Sequence, residues 1–247
     1  MLTDHSPLLG MIKPSKHSTK SHAELRSMLP ADIRTIERFA PTQHGTMEEF
    51  QANLPIYERF ARELADAGAD LIHVEGTPVS FILGRDREAE TIDRWQQQFG
   101  IPVFTSATCQ VNALHALGVT KMVDAGYDPT TGPPAERYFS AAGFTVLHVE
   151  KVPVAWAGTD EIADTEAFDM LASLLRRHPG ADGLCLQGSS KWALNAVVAK
   201  IEGEFGISVV HPLAARYWEL MQRLGRTGPL QNRGRLLAIM PPLPSGN

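Results

Sequence analysis

Short apolar runs that end at a glycine or a polar residue alternate along this chain with longer amphipathic stretches. Leu8 to Ile12 reads as a first short strand, closed by Lys13-Pro14-Ser15, and residues 32–39 alternate as a second. Thr46-x-x-Glu49 has the form of a capping box, and Phe50, Leu54, Tyr57, Phe60, Ala61 and Leu64 then recur at helical spacing. Pro55 within that stretch predicts a kink or a restart, and Gly68 a C-terminal cap. Residues 69–74 form a compact apolar strand closed by Glu75-Gly76-Thr77-Pro78.

The alternation continues to the end of the chain. Helices are expected over 86–98, from Val111 through Leu114 and Leu117 to Gly118, and over 135–142, 165–177, 189–203 and 213–224. Strands are expected over 102–104, 119–125, 144–149, 183–187 and 207–210. The tail, rich in Gly, Pro and Arg, reads as a surface wrap. Strands alternating with helices predict an α/β fold with a largely parallel sheet. Ligands in such sheets bind beyond the carboxyl ends of the strands. That singles out the loops at Lys13-Pro14, Glu75-Thr77, Thr105-Ser106, Tyr127-Asp128, Gln187-Ser190 and His211-Pro212.

Composition narrows the function classes. The 247 residues suffice for one large domain or two joined smaller ones. A formal charge of -5, from 23 Lys+Arg against 28 Asp+Glu, gives no electrostatic case for nucleic acid. No apolar run is long enough for a membrane span, and the N-terminus lacks a signal-peptide core, so a cytoplasmic location is expected. The two cysteines, Cys109 and Cys185, support neither a disulfide framework nor a zinc site, and no metal is expected. GxGxxG, Walker A and GxSxG patterns are absent, and no cofactor is expected.

Two segments share one device. Val74-Glu75-Gly76-Thr77 and Gln187-Gly188-Ser189-Ser190-Lys191 each place a glycine and a hydroxyl between a strand and a helix. The glycine lets a backbone amide approach a ligand, and the helix start supplies unpaired N–H groups that suit a carboxylate. A plain strand-to-helix turn, with the serine as a cap, is the structural alternative at each. Cys185 reads as a core thiol. Cys109 stands at a helix start, where a thiol can be activated. Tyr127 is either an anion contact or an amphipathic core residue. His211 is either a titrating strand-end group or a surface histidine, and His73 reads as core. Lys13 could pair with a substrate carboxylate.

Taken in order, GMIKPS at 10–15, GTPVSF at 76–81, NALHALGV at 112–119 and GISVVHPLAARYW at 206–218 resemble the Asp/Glu racemase superfamily, in particular its arylmalonate decarboxylase and maleate cis-trans isomerase branch. The likeness runs along most of the chain, with a small insertion near 130–134. It implies two similar flavodoxin-like parallel-sheet halves with pseudo-twofold symmetry and an interdomain active site. The first half would comprise residues 1–117 plus 212–247, the second 118–211.

By that resemblance, racemases and maleate isomerases carry a cysteine at the key strand end of each half, and the decarboxylase keeps only the second. Both slots are glycine here, Gly76 and Gly188, and Cys185 lies three residues too early to fill the second. The anion-binding framework implied is Pro14, Thr77, Tyr127 and the amides around Gly188 and Ser189, with Pro78 in place of a family serine. Proton transfer would then fall to Glu75, Lys191 or His211, with Glu75 first because it adjoins Gly76.

The expected activity is that of a cofactor-free lyase or isomerase on a small carboxylate, passing through an enolate-like intermediate. Changed chemistry (a hydrolase or hydratase using Glu75, Lys191 or His211) and a non-catalytic carboxylate-binding protein stay open beside it. A small carboxylate is the expected partner, with neither nucleic acid nor membrane; a homo-oligomer is left open.

Overall fold

The computed structural model describes residues 6–16, 19–127, 132–154, 162–188 and 192–244. The first sheet contains β1 (Leu8–Lys13), β2 (Arg34–Phe39), β3 (Leu71–Val74) and β4 (Val103–Thr105), all parallel, in the order β2-β1-β3-β4. The second contains β5 (Lys121–Gly126), β6 (Thr145–Lys151), β7 (Gly183–Leu186) and β8 (Ser208–Val210), again parallel, in the order β6-β5-β7-β8. The two halves therefore repeat one topology. Inner strands β3 and β7 are buried at every position, as parallel strands covered on both faces must be. Edge strand β6 is largely exposed.

Helices connect these strands. They are α1 (Thr19–Met28), α2 (Met47–Asp66), α3 (Thr77–Phe99), α4 (Ser106–Ala116), α5 (Pro133–Ala141), α6 (Asp164–Arg177), α7 (Ala199–Phe205), α8 (Pro212–Arg223) and α9 (Arg235–Ile239). Thr46 caps α2, its hydroxyl accepting from Glu49 N at 3.2 Å, and the Glu49 carboxylate reaches back to the amides of His44 and Gly45. The apolar stripe predicted for this helix is the buried one: Phe50, Tyr57, Ala61 and Leu64 face inward.

Several local expectations change. α2 does not restart at Pro55 but runs unbroken. Pro55 and Gln51, whose carbonyl loses its amide partner to the proline, are both exposed, where water can satisfy that carbonyl. The break comes instead in α3, at Gly84 (φ 72, ψ 166), which joins an unexpected first segment to the helix expected over 86–98. A helix with no counterpart in the sequence reading, α1, spans the polar stretch around His22. The tail is no mere wrap: α9 buries Leu236 and Leu237. The expected helix over 189–203 enters the described residues as a π-helical turn (Leu194–Val198) that leads into α7.

The chain divides into two compact units, Met1–Ala107 and Thr108–Asn247. This differs from the expected halves, because residues 108–117 and 212–247 go with the second sheet. Side-chain bonding explains the difference. Asn112 Nδ2 on α4 donates to Glu219 Oε2 on α8 at 3.0 Å. The Arg235 amide at the start of α9 donates to Glu202 Oε2 of α7 at 2.7 Å, and its guanidinium reaches Ser208 of β8 at 3.1 Å.

Candidate active site

Strand order locates the site within each unit. From β1 the chain passes outward to β2 and then crosses back to β3 on the other side; β5, β6 and β7 repeat this path. The connections above the carboxyl ends of β1 and β3, and of β5 and β7, thus depart in opposite directions and leave a crevice there. The residues at those ends are Pro14 and Gly76 in the first unit, Tyr127 and Gly188 in the second.

In the first unit, Gly76 has φ 101, a conformation that side-chain-bearing residues rarely adopt, and forms the N-cap of α3. A Cβ placed there would have the Pro14 ring as its nearest neighbour, with Cγ at 3.5 Å. Thr77 and Pro78 open the helix and are buried. The Gly76 amide donates to Ser106 Oγ at 3.3 Å, and the same oxygen lies 3.3 Å from Nε2 of His73. His73 is fully buried, its ring 5.0 Å from that of Phe104.

Glu75 is buried beside this turn. Burial and the Glu75 charge together push the Tyr57 phenol, on α2, far above its usual range. Lys13 does not present a free ammonium to a substrate. It is wholly buried and donates to Glu37 Oε1 at 2.7 Å, with Phe39 under its Nζ at 5.5 Å. Burial raises the Glu37 carboxyl, but Lys13 and Arg26 outweigh it and hold the group below its ordinary value.

The second unit repeats the device with a different neighbour. Gly188 has φ 82, and a Cβ there would fall into the Tyr127 ring, overlapping Cε1 and lying 2.9 Å from Oη. Behind Gly188, Gln187 donates to Asp124 Oδ1 at 2.8 Å, and its carbonyl accepts from Trp192 Nε1 at 2.8 Å. Asp124 is fully buried, and burial pushes its carboxyl up to about 7, against the lowering bonds from Gln187 and Cys185. Ser189 and Lys191 lie outside the described residues.

His211 is placed as a helix cap. Its Nδ1 accepts from Leu213 N at 3.1 Å and its Nε2 meets the Trp192 carbonyl at 3.2 Å, which fixes the neutral form protonated at Nε2. Burial lowers its pKa to about 4. Both nitrogens are engaged, so His211 fits a structural role better than an acid or base. Burial also pushes both thiols, Cys109 and Cys185, well above their usual range, which removes the activated reading of Cys109.

Residues missed by pattern reading are Ser106, Asp124 and Gln187, together with a role for His73. The Thr105-Ser106 and Gln187-Ser190 strand ends carried a local signal for Ser106 and Gln187; Asp124 carried none. Among the described residues, no three or more His, Cys, Asp or Glu side chains group closely enough to hold a metal ion. Nor is any helix among them long and apolar enough to cross a membrane.

Paired doubly wound sheets, each with a glycine at its switch point, define the class of α/β fold. The family model for arylmalonate decarboxylase matches residues 30–237, and the chain belongs to that family. It is 23% identical to the arylmalonate decarboxylase of Bordetella bronchiseptica over 222 residues, 89% of this chain and 91% of that protein. Among solved structures, a liganded arylmalonate decarboxylase variant with one glycine-to-cysteine and one cysteine-to-serine exchange superposes with a TM-score of 0.82 at 22% identity, covering 94% of this chain and 98% of that one. A maleate isomerase from Pseudomonas putida S16, determined with maleate, gives 0.76 at 20% identity, covering 94% and 98%. These likenesses establish the fold.

Proposed function

We propose that this family member is a cofactor-independent lyase or isomerase that acts on a small carboxylic acid through an enediolate intermediate. The observation that carries the reading is the repeated switch-point glycine. At both Gly76 and Gly188 the backbone takes a positive φ, and the end of the unit's first strand closes over it with Pro14 or Tyr127. The start of α3 after Gly76 leaves first-turn amides without intrahelical partners, and these, with the Thr77 and Tyr127 hydroxyls, suit the negative charge that grows on a carboxylate as its α carbon becomes a carbanion. Fixed donors of this kind often supply the largest catalytic contribution. Family membership supports the same class of substrate: the relatives are named for arylmalonate and maleate chemistry.

The test is turnover of phenylmalonate and of maleate, followed by carbon dioxide release and by proton NMR. Thr77→Ala and Tyr127→Phe should each lower kcat/KM by about tenfold or more, the loss of a charge-assisted hydrogen bond. Undiminished turnover in both variants would sink the site. Tight binding of these acids without any turnover would make the chain a carboxylate-binding protein instead.

A further inference from the structure

The first slot lacks a thiol, yet a hydroxyl stands next to it. Ser106 is the first residue of α4, directly after the last strand of its sheet, and is half-buried. Its Oγ accepts the Gly76 amide, the backbone group of the slot itself, and lies within hydrogen-bond distance of His73 Nε2. His73 and Ser106 are 33 residues apart and come from β3 and the end of β4, neighbouring parallel strands paired at His73↔Phe104. The sheet register therefore brings them together and aligns both with Gly76.

We propose that Ser106 is the proton donor of the first slot and that His73 is its positioning residue; this rests on the enediolate reading above. With His73 protonated at Nε2, the serine oxygen accepts two hydrogen bonds, from Gly76 N–H and from Nε2–H. Both lone pairs are then engaged, and the hydroxyl proton is left for a third partner.

When a malonate-type substrate loses carbon dioxide, the C–C bonding pair stays on the α carbon and is delocalised into the remaining carboxylate. The Oγ–H bond breaks, its proton forms the new C–H bond, and the electron pair remains on Oγ. That alkoxide is held by the two donors that already point at it, without reorganisation. Water then returns a proton to Oγ, so one solvent proton is consumed per carbon dioxide released. The enediolate is a far stronger base than an alkoxide, so the transfer runs downhill.

Glu75 is the competing donor in this slot. Its charge bears on Tyr57 of α2, whereas Ser106 bonds Gly76 directly.

The experiment uses the full chain with phenylmalonate, and circular dichroism checks folding. Ser106→Ala should lower kcat by about 100-fold or more, with KM within about threefold. Ser106→Cys keeps a donor at the same atom and should recover about tenfold over alanine. His73→Leu should lower kcat by about tenfold, and His73→Gln, which retains a side-chain N–H, should recover most of it. Nitrogen-15 NMR should find His73 protonated at Nε2, with a ring shift that moves in Ser106→Ala.

A Ser106→Ala kcat within about threefold of wild type overturns the inference. If the wild-type chain turns over none of the acids, the reading of function fails first. The inference then falls separately if Nε2 of His73 is unprotonated and its shift is indifferent to Ser106→Ala.

Discussion

The two sheets share a strand order, yet the glycines at their switch points have different neighbours. Gly76 has a proline ring at van der Waals distance and a serine on its amide. Gly188 has an aromatic ring in the space its own side chain would need. Their buried polar groups differ as well. The first sheet holds an ammonium, Lys13, and neutralises it with Glu37. The second holds a carboxyl, Asp124, whose partners among the described residues are an amide and a thiol, and burial favours its protonated form. One topology therefore serves an open slot over a charged pair and a filled slot over a buried carboxyl. Two halves alike in backbone need not divide a reaction equally.

Placing cysteine in each slot tests this contrast most severely. Gly188→Cys combines backbone strain of about 1–3 kcal/mol with overpacking of about 1–3 kcal/mol and should cost about 4 kcal/mol in urea unfolding. Gly76→Cys carries only the strain and should cost about 2 kcal/mol. Adding Tyr127→Ala to Gly188→Cys should return about 1–3 kcal/mol of coupling. Equal costs at the two glycines, or no coupling to Tyr127, would erase the distinction.

Lys13→Met removes the buried partner of Glu37 while Arg26 remains, and should cost about 3 kcal/mol, the low end for breaking a buried pair. A cost below about 1 kcal/mol would mean that the pair behaves as a surface one.

The pH dependences of the two carboxyls should have opposite signs. The folded-state value of Asp124 is raised from 3.8 to about 7, so its contribution is complete below the lower figure and is lost as pH rises through the higher one. Glu37 is held below 4.5, so its contribution is present above that value and is lost as pH falls through the folded-state value. Asp124→Asn should flatten the decline of stability toward neutral pH, and Glu37→Gln should flatten the acid limb. His211, lowered from 6.5 to about 4, loses its contribution as pH falls through that window and must be separated from Asp124 by a single variant. His211→Ala removes the α8 cap and should cost about 1 kcal/mol, the smallest effect here.

Much of the scaffold could be read from local pattern because local chemistry creates it. Apolar runs closed by glycine gave the strand ends. Capping residues gave helix starts, as at Thr46. The site loops were visible because parallel strands direct ligands to their carboxyl ends. Non-local features were hidden. Nothing near Gly188 in sequence indicates that Tyr127 covers it, and Asp124 reads as one more strand position. The join between His73 and Ser106 exists only once β3 and β4 pair. Lys13 and His211 misled for the same reason: each stands at a strand end, but partners elsewhere in the chain, Glu37 and Trp192, engage it.

The ring over Gly188 also constrains the order in which such a sequence can change. A cysteine at that position is acceptable only after Tyr127 has been replaced or displaced, and a small residue at Tyr127 gains nothing until the cysteine arrives. A thiol at Gly188 therefore depends on movement or replacement of the Tyr127 ring as well as on the exchange itself. Change in the first slot, where Ser106 already supplies a hydroxyl, remains the accessible evolutionary direction.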